Sequence, residues 1–243
     1  MDSDSPSINL VIPCAGAGER AGKGMPKQYA TIASKPMIAH TLNALVQVSC
    51  IQGICIVVSP GDLFIQAILV ENGLSDNLKI KVIHKGGATR AQSVLAGLNY
   101  FKDQGALDES WILVHDAARC LIMPKSVEQL IQTCLSDPVG GLLACPVADT
   151  LKESHGGRVE GTIKRQGKWL AQTPQMFRLG MLMKAFDKAE EHNFDSFTDE
   201  ASAIEALGHS PVLVEGVSSN FKITYPSDFE LAQALIDHRT AKA

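Results

Sequence analysis

The sequence predicts a Rossmann-like, doubly wound α/β fold with a mostly parallel sheet, and two observations carry that prediction. Short Val- and Ile-rich runs recur along the chain, several apolar on both faces, as strands covered by helices on both sides must be. Between them lie stretches whose apolar residues keep helical spacing, and strand–helix alternation of this kind winds into a parallel sheet. With 243 residues, 45% of them apolar, the chain has material for one buried core, so a single domain over 1–243 is expected.

The strand runs are Ile8–Pro13, Gly53–Ser59, Ile80–Ile83, Trp111–His115, Gly141–Pro146 and Pro211–Glu215. Ser34-Lys35-Pro36 reads as an N-cap with proline near the first turn, opening a helix through Ile38, Leu42 and Leu45. Val94, Leu95, Leu98 and Phe101 form a second apolar stripe, and Val127, Leu130, Ile131 and Cys134 a third. In "TDEASAIEAL", Thr198 or Asp199 caps a further helix, and Phe229, Ala232, Leu235 and Ile236 mark the last. Residues 147–174 break this rhythm. They carry Thr, Val and charges without a helical stripe, which predicts a protruding β-hairpin arm with Gly156-Gly157 at its tip. A long hairpin without a core of its own packs on something else, so 147–172 is expected to be a dimerisation arm in a homodimer.

Composition removes several function classes. The formal net charge is -4 and no Lys/Arg block occurs, so no nucleic-acid partner is expected. No apolar run approaches the ~18–20 residues that span a bilayer, and "MDSDSPS" is not a secretory leader, so no membrane partner and a cytoplasmic location are expected. The six cysteines form no C-x-x-C pair and sit mostly in apolar runs, which suits buried thiols in a reducing compartment.

The chemistry should lie beyond the carboxyl ends of the strands, where open α/β sheets bind ligands. In "VIPCAGAGERAGKGMPKQYA" the glycines Gly16 and Gly18 follow the first strand, and their backbone N–H groups can approach an anion closely. The G-x-G-x-x-A match to a dinucleotide turn is the weakest part of this loop. No acid ends a second strand roughly 20 residues on, as that reading requires. Tyr-x-x-x-Lys and the G-x-x-x-x-G-K-[ST] loop are also missing. What distinguishes the loop is Arg20 and, just past Pro26, Lys27: two cations beside a phosphate nest suit a triphosphate whose charge develops during nucleotidyl transfer.

"ILVHDAARC" runs a buried strand into Asp116, placed to hold Mg²⁺ against a phosphate; the alternative is a helix N-cap paired with Arg119. "HKGGATRAQSVLAGL" offers Gly86-Gly87 before a helix with Arg90 and Ser93 in its first turns. That loop either wraps a base or ribose, with Ser93 donating a hydrogen bond, or is an ordinary capped turn. Arg165, on the arm, and Lys222 would hold an anionic acceptor if both converge on the first loop.

Taken together, "AGAGERAGKGMPKQY", "GGATRAQSVLAGL", "VHDAAR", "PVADTLK", "IKRQGKWLAQTPQMF", "TDEASAIEALG", "LVEG" and "NFKIT" resemble, in order and spacing, the 2-C-methyl-D-erythritol 4-phosphate cytidylyltransferases of the nucleotidyltransferase superfamily. The resemblance runs from Val11 to about Asp228. It implies that CTP and a sugar-alcohol phosphate react to give CDP-methylerythritol and pyrophosphate for non-mevalonate isoprenoid synthesis. It further implies that Arg20 and Lys27 stabilise the transition state. Gly16, Gly18, Gly87, Ser93 and Thr173 would contact CTP, and Asp116, followed by Arg119, would lie at the Mg²⁺ and acceptor region. Thr150, Arg165 and Lys222 would position the acceptor, with Arg165 serving the neighbour's site in a swapped dimer. Ribitol 5-phosphate cytidylyltransferases share the first loop and "QTPQ" and are the alternative; "DTLK" and "TDEAS" argue against them. The chain departs from the family pattern at Cys120, commonly proline, at Ala88, often acidic, and at Ser219 and Phe221 around the retained Asn220 and Lys222.

Overall fold

A computed structural model describes residues 6–16, 25–190 and 197–242. Its centre is a seven-stranded sheet ordered β11-β7-β10-β6-β1-β4-β5. The strands are β1 Ile8–Pro13, β4 Gly53–Val57, β5 Ile80–Ile83, β6 Trp111–Val114, β7 Gly140–Pro146, β10 Trp169–Arg178 and β11 Val212–Glu215. Helices α1 Met37–Leu45, α2 Ile65–Glu71, α3 Arg90–Asp103, α4 Pro124–Leu135, α5 Leu179–Glu190, α6 Glu200–Glu205 and α7 Pro226–Thr240 follow their strands. Two short two-stranded sheets complete it: β2 Thr31–Ile32 with β3 Lys35–Pro36, and β8 Leu151–His155 with β9 Arg158–Ile163.

The apolar runs become strands because both faces are covered. On β1, Ile8, Leu10 and Ile12 face one core with α1, α2 and α4, while Val11 faces a second with α3, α5 and α6. The second face is packed so closely that a Cβ on Gly97 of α3 would lie 2.5 Å from Val11. Among the described residues no helix is long and apolar enough to cross a membrane.

The sheet is mostly parallel as expected; one detail refines that expectation and two others differ from the sequence reading. The first concerns β10, which is antiparallel to both β6 and β7. A parallel partner needs a crossover of a dozen or more residues, usually a helix, and 147–168 instead forms the hairpin arm, so the chain returns alongside β7 in the opposite sense. The second is that Ser34 is not an N-cap: Ala33 and Ser34, both at positive φ, turn β2 into β3, and Pro36 directly precedes α1. The third is that no helix starts at Asp116, since the next one, α4, begins at Pro124. The hairpin forms with its predicted tip, while residues 169–172 of the expected arm belong to β10. Gly156 and Gly157 have φ of +55 and +76, the mirror-image turn that a tight hairpin favours.

Candidate active site

The functional loops converge beyond the carboxyl ends of β1, β5 and β6, in a cleft lined on one wall by Cys14, Gly16 and Lys27 and on the other by Gly87, Arg90, Asp116 and Lys222. The first wall is held from below. Gln28, buried in the single helical turn at Lys27–Tyr29, donates from Nε2 to the carbonyls of Cys14 at 2.9 Å and Gly16 at 3.1 Å. That bridge fixes how the chain leaves β1, and Lys27 beside it reaches the Ile223 carbonyl on the opposite side of the cleft mouth. Arg20 and Gly18 lie outside the described residues.

On the other wall, Gly86 sits where a side chain has no room: a Cβ would fall 2.2 Å from that of Ala15. The two loops therefore approach backbone to backbone. Helix α3 starts with a capping box, Thr89 accepting from Gln92 N–H while the Gln92 amide accepts from Thr89 N–H. Ser93 is 2% exposed; its hydroxyl accepts from Gly87 N–H at 3.2 Å and donates to the Thr89 carbonyl at 3.1 Å. The Ser93 proton is thus engaged inside the loop, where it shapes the Gly86-Gly87 turn, and the residue lines the cleft.

At the centre is Asp116, placed by the end of β6. Its backbone N–H donates to Thr173 Oγ1 at 3.0 Å. Thr173 lies where β10 shifts register between Ala171 and Gln175. The same hydroxyl meets His115 Nδ1 at 3.0 Å, and His115 Nε2 faces the Arg119 carbonyl at 3.3 Å, so the network assigns a neutral ring with its proton on Nε2. Burial lowers the His115 pKa to about 4, which keeps it neutral.

Both oxygens of Asp116 are taken by cations. Oδ1 receives Arg90 Nε at 2.8 Å, and Oδ2 lies 3.0 Å from Lys222 Nζ and 3.7 Å from Arg119 Nε. Burial alone would raise the Asp116 pKa, but Arg90, then Lys222 and Arg119, override it and hold the carboxyl well below its usual range. Arg119 also donates to the Asn220 carbonyl at 2.9 Å. The ion-pair half of the alternative reading of Asp116 is therefore correct, although the helix cap is not.

Of the described predicted residues, Arg119 and Thr173 stand behind Asp116 and do not line the cleft, and two more stay away from it on the arm. Thr150 and Arg165 are exposed on the arm, where Arg165 Nη1 donates to the Ala148 carbonyl. Of the two late cations, only Lys222 reaches Asp116.

The sequence reading also passed over a residue that the structure makes prominent. Glu200 is fully buried and grips Arg90 with both oxygens, at 2.6 and 3.0 Å. It lies in "TDEAS", where a capping function seemed sufficient. Asp199 is indeed the cap, accepting from Ser202 N–H at 2.9 Å, but the next side chain turns inward. An acid that can be buried only with a cation is legible once that cation, Arg90, is also singled out.

The sequence and the fold have relatives. The family model for IspD, 2-C-methyl-D-erythritol 4-phosphate cytidylyltransferase, matches residues 8–238. The chain belongs to that family. It is accordingly an enzyme of the nucleotidyltransferase kind. A bifunctional enzyme IspD/IspF of Albidiferax ferrireducens is 51% identical over 98% of this chain, which spans only 54% of that longer protein. The 2-C-methyl-D-erythritol 4-phosphate cytidylyltransferase of Paraburkholderia phytofirmans is 46% identical over 95% of this chain and 96% of its own length. Among solved structures, a 4-diphosphocytidyl-2C-methyl-D-erythritol synthase superposes with a TM-score of 0.82 at 35% identity, covering 95% of this chain and 99% of its own. The Francisella tularensis 2-C-methyl-D-erythritol 4-phosphate cytidylyltransferase gives 0.79 at 33% identity, covering 94% and 99%.

Proposed function

We propose that this cleft joins CTP to 2-C-methyl-D-erythritol 4-phosphate, giving CDP-methylerythritol and pyrophosphate for isoprenoid precursor synthesis. The observation that carries the reading is Asp116 and Lys222 facing Lys27 across a mouth whose floor is glycine backbone. The triphosphate lies along the Gly16 and Gly87 backbones. An oxygen of the acceptor phosphate attacks the α-phosphorus, a new P–O bond forms, and the bond to the β-phosphate breaks as pyrophosphate leaves. That oxygen is already ionised, so no strong general base is required, in keeping with a cleft lined by cations and a neutral His115 behind it. Lys27, with Arg20, stabilises charge that grows only in the transition state.

A divalent cation, Mg²⁺, belongs to the same reading. Among the described residues Asp116 is the one carboxylate lining the cleft, and no group of three His, Cys, Asp or Glu could hold an ion unaided. One carboxylate plus substrate phosphates is a donor set that suits Mg²⁺, which would neutralise phosphate charge there. The exposed arm supports a homodimer in which Arg165 and Thr150 serve the neighbouring cleft, and six unpaired cysteines accord with the cytoplasm. Release of pyrophosphate that requires both CTP and methylerythritol phosphate tests the reading; no turnover with any tetritol or pentitol phosphate would overturn it.

A further inference from the structure

Resting on that reading of the cleft, we propose that Arg90 and Glu200 are positioning residues of the reaction. Glu200 commits Arg90 to one oxygen of Asp116, so that the other oxygen is left to exchange between Lys222 and a cation carried by the nucleotide phosphates.

The argument starts from cost. Glu200 has no exposed surface, and a buried carboxylate is retained only when paired and hydrogen-bonded. Packing alone would be served as well by an apolar pair of similar volume. The pairing here is specific: Nη1 and Nη2 of Arg90 are both spent on Glu200, which leaves Nε aimed at Asp116 Oδ1 at 2.8 Å. A guanidinium presents its donors in a rigid fork, so fixing one edge fixes the other.

Glu200 is itself referenced to the sheet. Gln175 of β10 donates to Asp199 Oδ2 at 2.8 Å and accepts from Ala201 N–H at 2.7 Å, bracketing Glu200 on both sides. Two residues earlier on the same strand, Thr173 accepts the backbone N–H of Asp116. One strand therefore sets both the backbone of Asp116 and, through α6 and Arg90, its side-chain orientation.

The two oxygens of Asp116 end up unlike. Oδ1 belongs to a clamped guanidinium, whereas Oδ2 faces Lys222, whose side chain is 44% exposed on a flexible stem. Arg119 stands further off at 3.7 Å and is tied to the Asn220 carbonyl. Oδ2 would therefore be the oxygen available to a phosphate-bound cation, and Lys222, freed from it, would turn towards the acceptor phosphate while Arg90 keeps Oδ1. Without the Glu200 charge, Arg90 is no longer held to Oδ1, and Asp116 loses the orientation that keeps Oδ2 facing Lys222.

The test uses the full-length protein, with Mn²⁺ as probe. Mn²⁺ binding is measured by calorimetry in the presence of CTP and without acceptor, alongside the melting temperature and pyrophosphate release. Glu200→Gln and Arg90→Lys should weaken Mn²⁺ binding roughly 10- to 100-fold, the range typical of groups that orient a ligand. The double variant Glu200→Gln/Arg90→Gln removes the orphaned charge and should recover melting temperature while Mn²⁺ binding stays weak. Joint recovery of both would show a merely structural pair and overturn the proposal. So would unchanged Mn²⁺ affinity in a folded single variant, or no Mn²⁺ binding by the unaltered protein with CTP. If the unaltered protein shows the binding pattern but turns over neither acceptor class, the proposed reaction falls and the positioning role stands.

Discussion

The cleft and the hairpin arm are both rich in basic residues, yet the fold puts them in opposite physical situations. Around Asp116 the cations are interlocked: the four ion pairs between described residues all touch Asp116 or Arg90. On the arm, Lys152, Arg158, Lys164, Arg165 and Lys168 are exposed, and β9 carries apolar side chains outward, Val159 at 64% and Ile163 at 40%. A cation pinned in a partly dry cleft keeps its geometry and its field, while one in open water is screened and worth little until another surface meets it. The cations around Asp116 are held within one chain; in the proposed homodimer the arm's charges would act on a second.

Four experiments break or sharpen that contrast, taken from the largest expected effect down. Asp116→Ala leaves three cations around an empty position, and unpairing buried charge of this kind costs about 3–5 kcal/mol. Chemical denaturation should show that loss together with abolished turnover; a stability change below roughly 1 kcal/mol would mean that the cluster is not interlocked. Lys27→Ala should lower kcat by roughly 10²-fold or more with little change in CTP affinity, because its interaction grows in the transition state. Equal losses in binding and turnover would assign Lys27 to ground-state binding instead.

The third experiment varies pH. His115 has a pKa of about 4 in the folded chain against about 6.5 unfolded, so below pH 6.5 the unfolded state takes up a proton that the native state refuses. Its contribution to stability is complete above 6.5 and declines as pH falls towards 4, by about 2 kcal/mol between pH 7 and 5. His115→Gln should flatten that part of the stability curve; an unchanged slope would show that the ring is not held neutral. Asp116 acts in the same direction, but its loss sets in only as pH falls through about 4, where the unfolded carboxylate takes up a proton that the surrounding cations deny the folded one.

The smallest effect is expected on the arm. Arg165→Ala should leave the melting temperature unchanged and raise the acceptor KM by roughly tenfold, the worth of one charge-assisted contact. Mixing Arg165→Ala with Lys27→Ala chains should restore part of the activity, because each hybrid dimer then holds one cleft with both residues intact. No recovery in dimers shown to exchange would remove the shared site and with it the contrast between the two regions.

Much of this was legible in the chain itself. Val/Ile runs without polar alternation must be covered on both sides, which is enough for the layered sheet and for a site at its carboxyl edge. Gly16, Lys27, Gly87, Asp116 and Lys222 carry their chemistry in their types and spacing, and all five line the cleft. The Gly156-Gly157 turn was equally plain, since only a mirror-image turn wants two such residues.

What the sequence could not decide was direction and partnership. Whether β10 runs with or against β6 depends on where the chain re-enters after the arm, a matter of three-dimensional return rather than local pattern. Glu200 and Arg90 are 110 residues apart, and a buried carboxylate has no signature until its cation is folded against it. Ser93 and Thr173 look like ligand donors in sequence, but folding engages their hydroxyls with Gly87 N–H, the Thr89 carbonyl, Asp116 N–H and His115. Residue type, spacing and period thus determined the layers, the phosphate loop and the cations that mark the reaction. Only the tertiary structure decided which charges face each other and which stay in water, because that depends on burial and distance, and both arise from long-range packing.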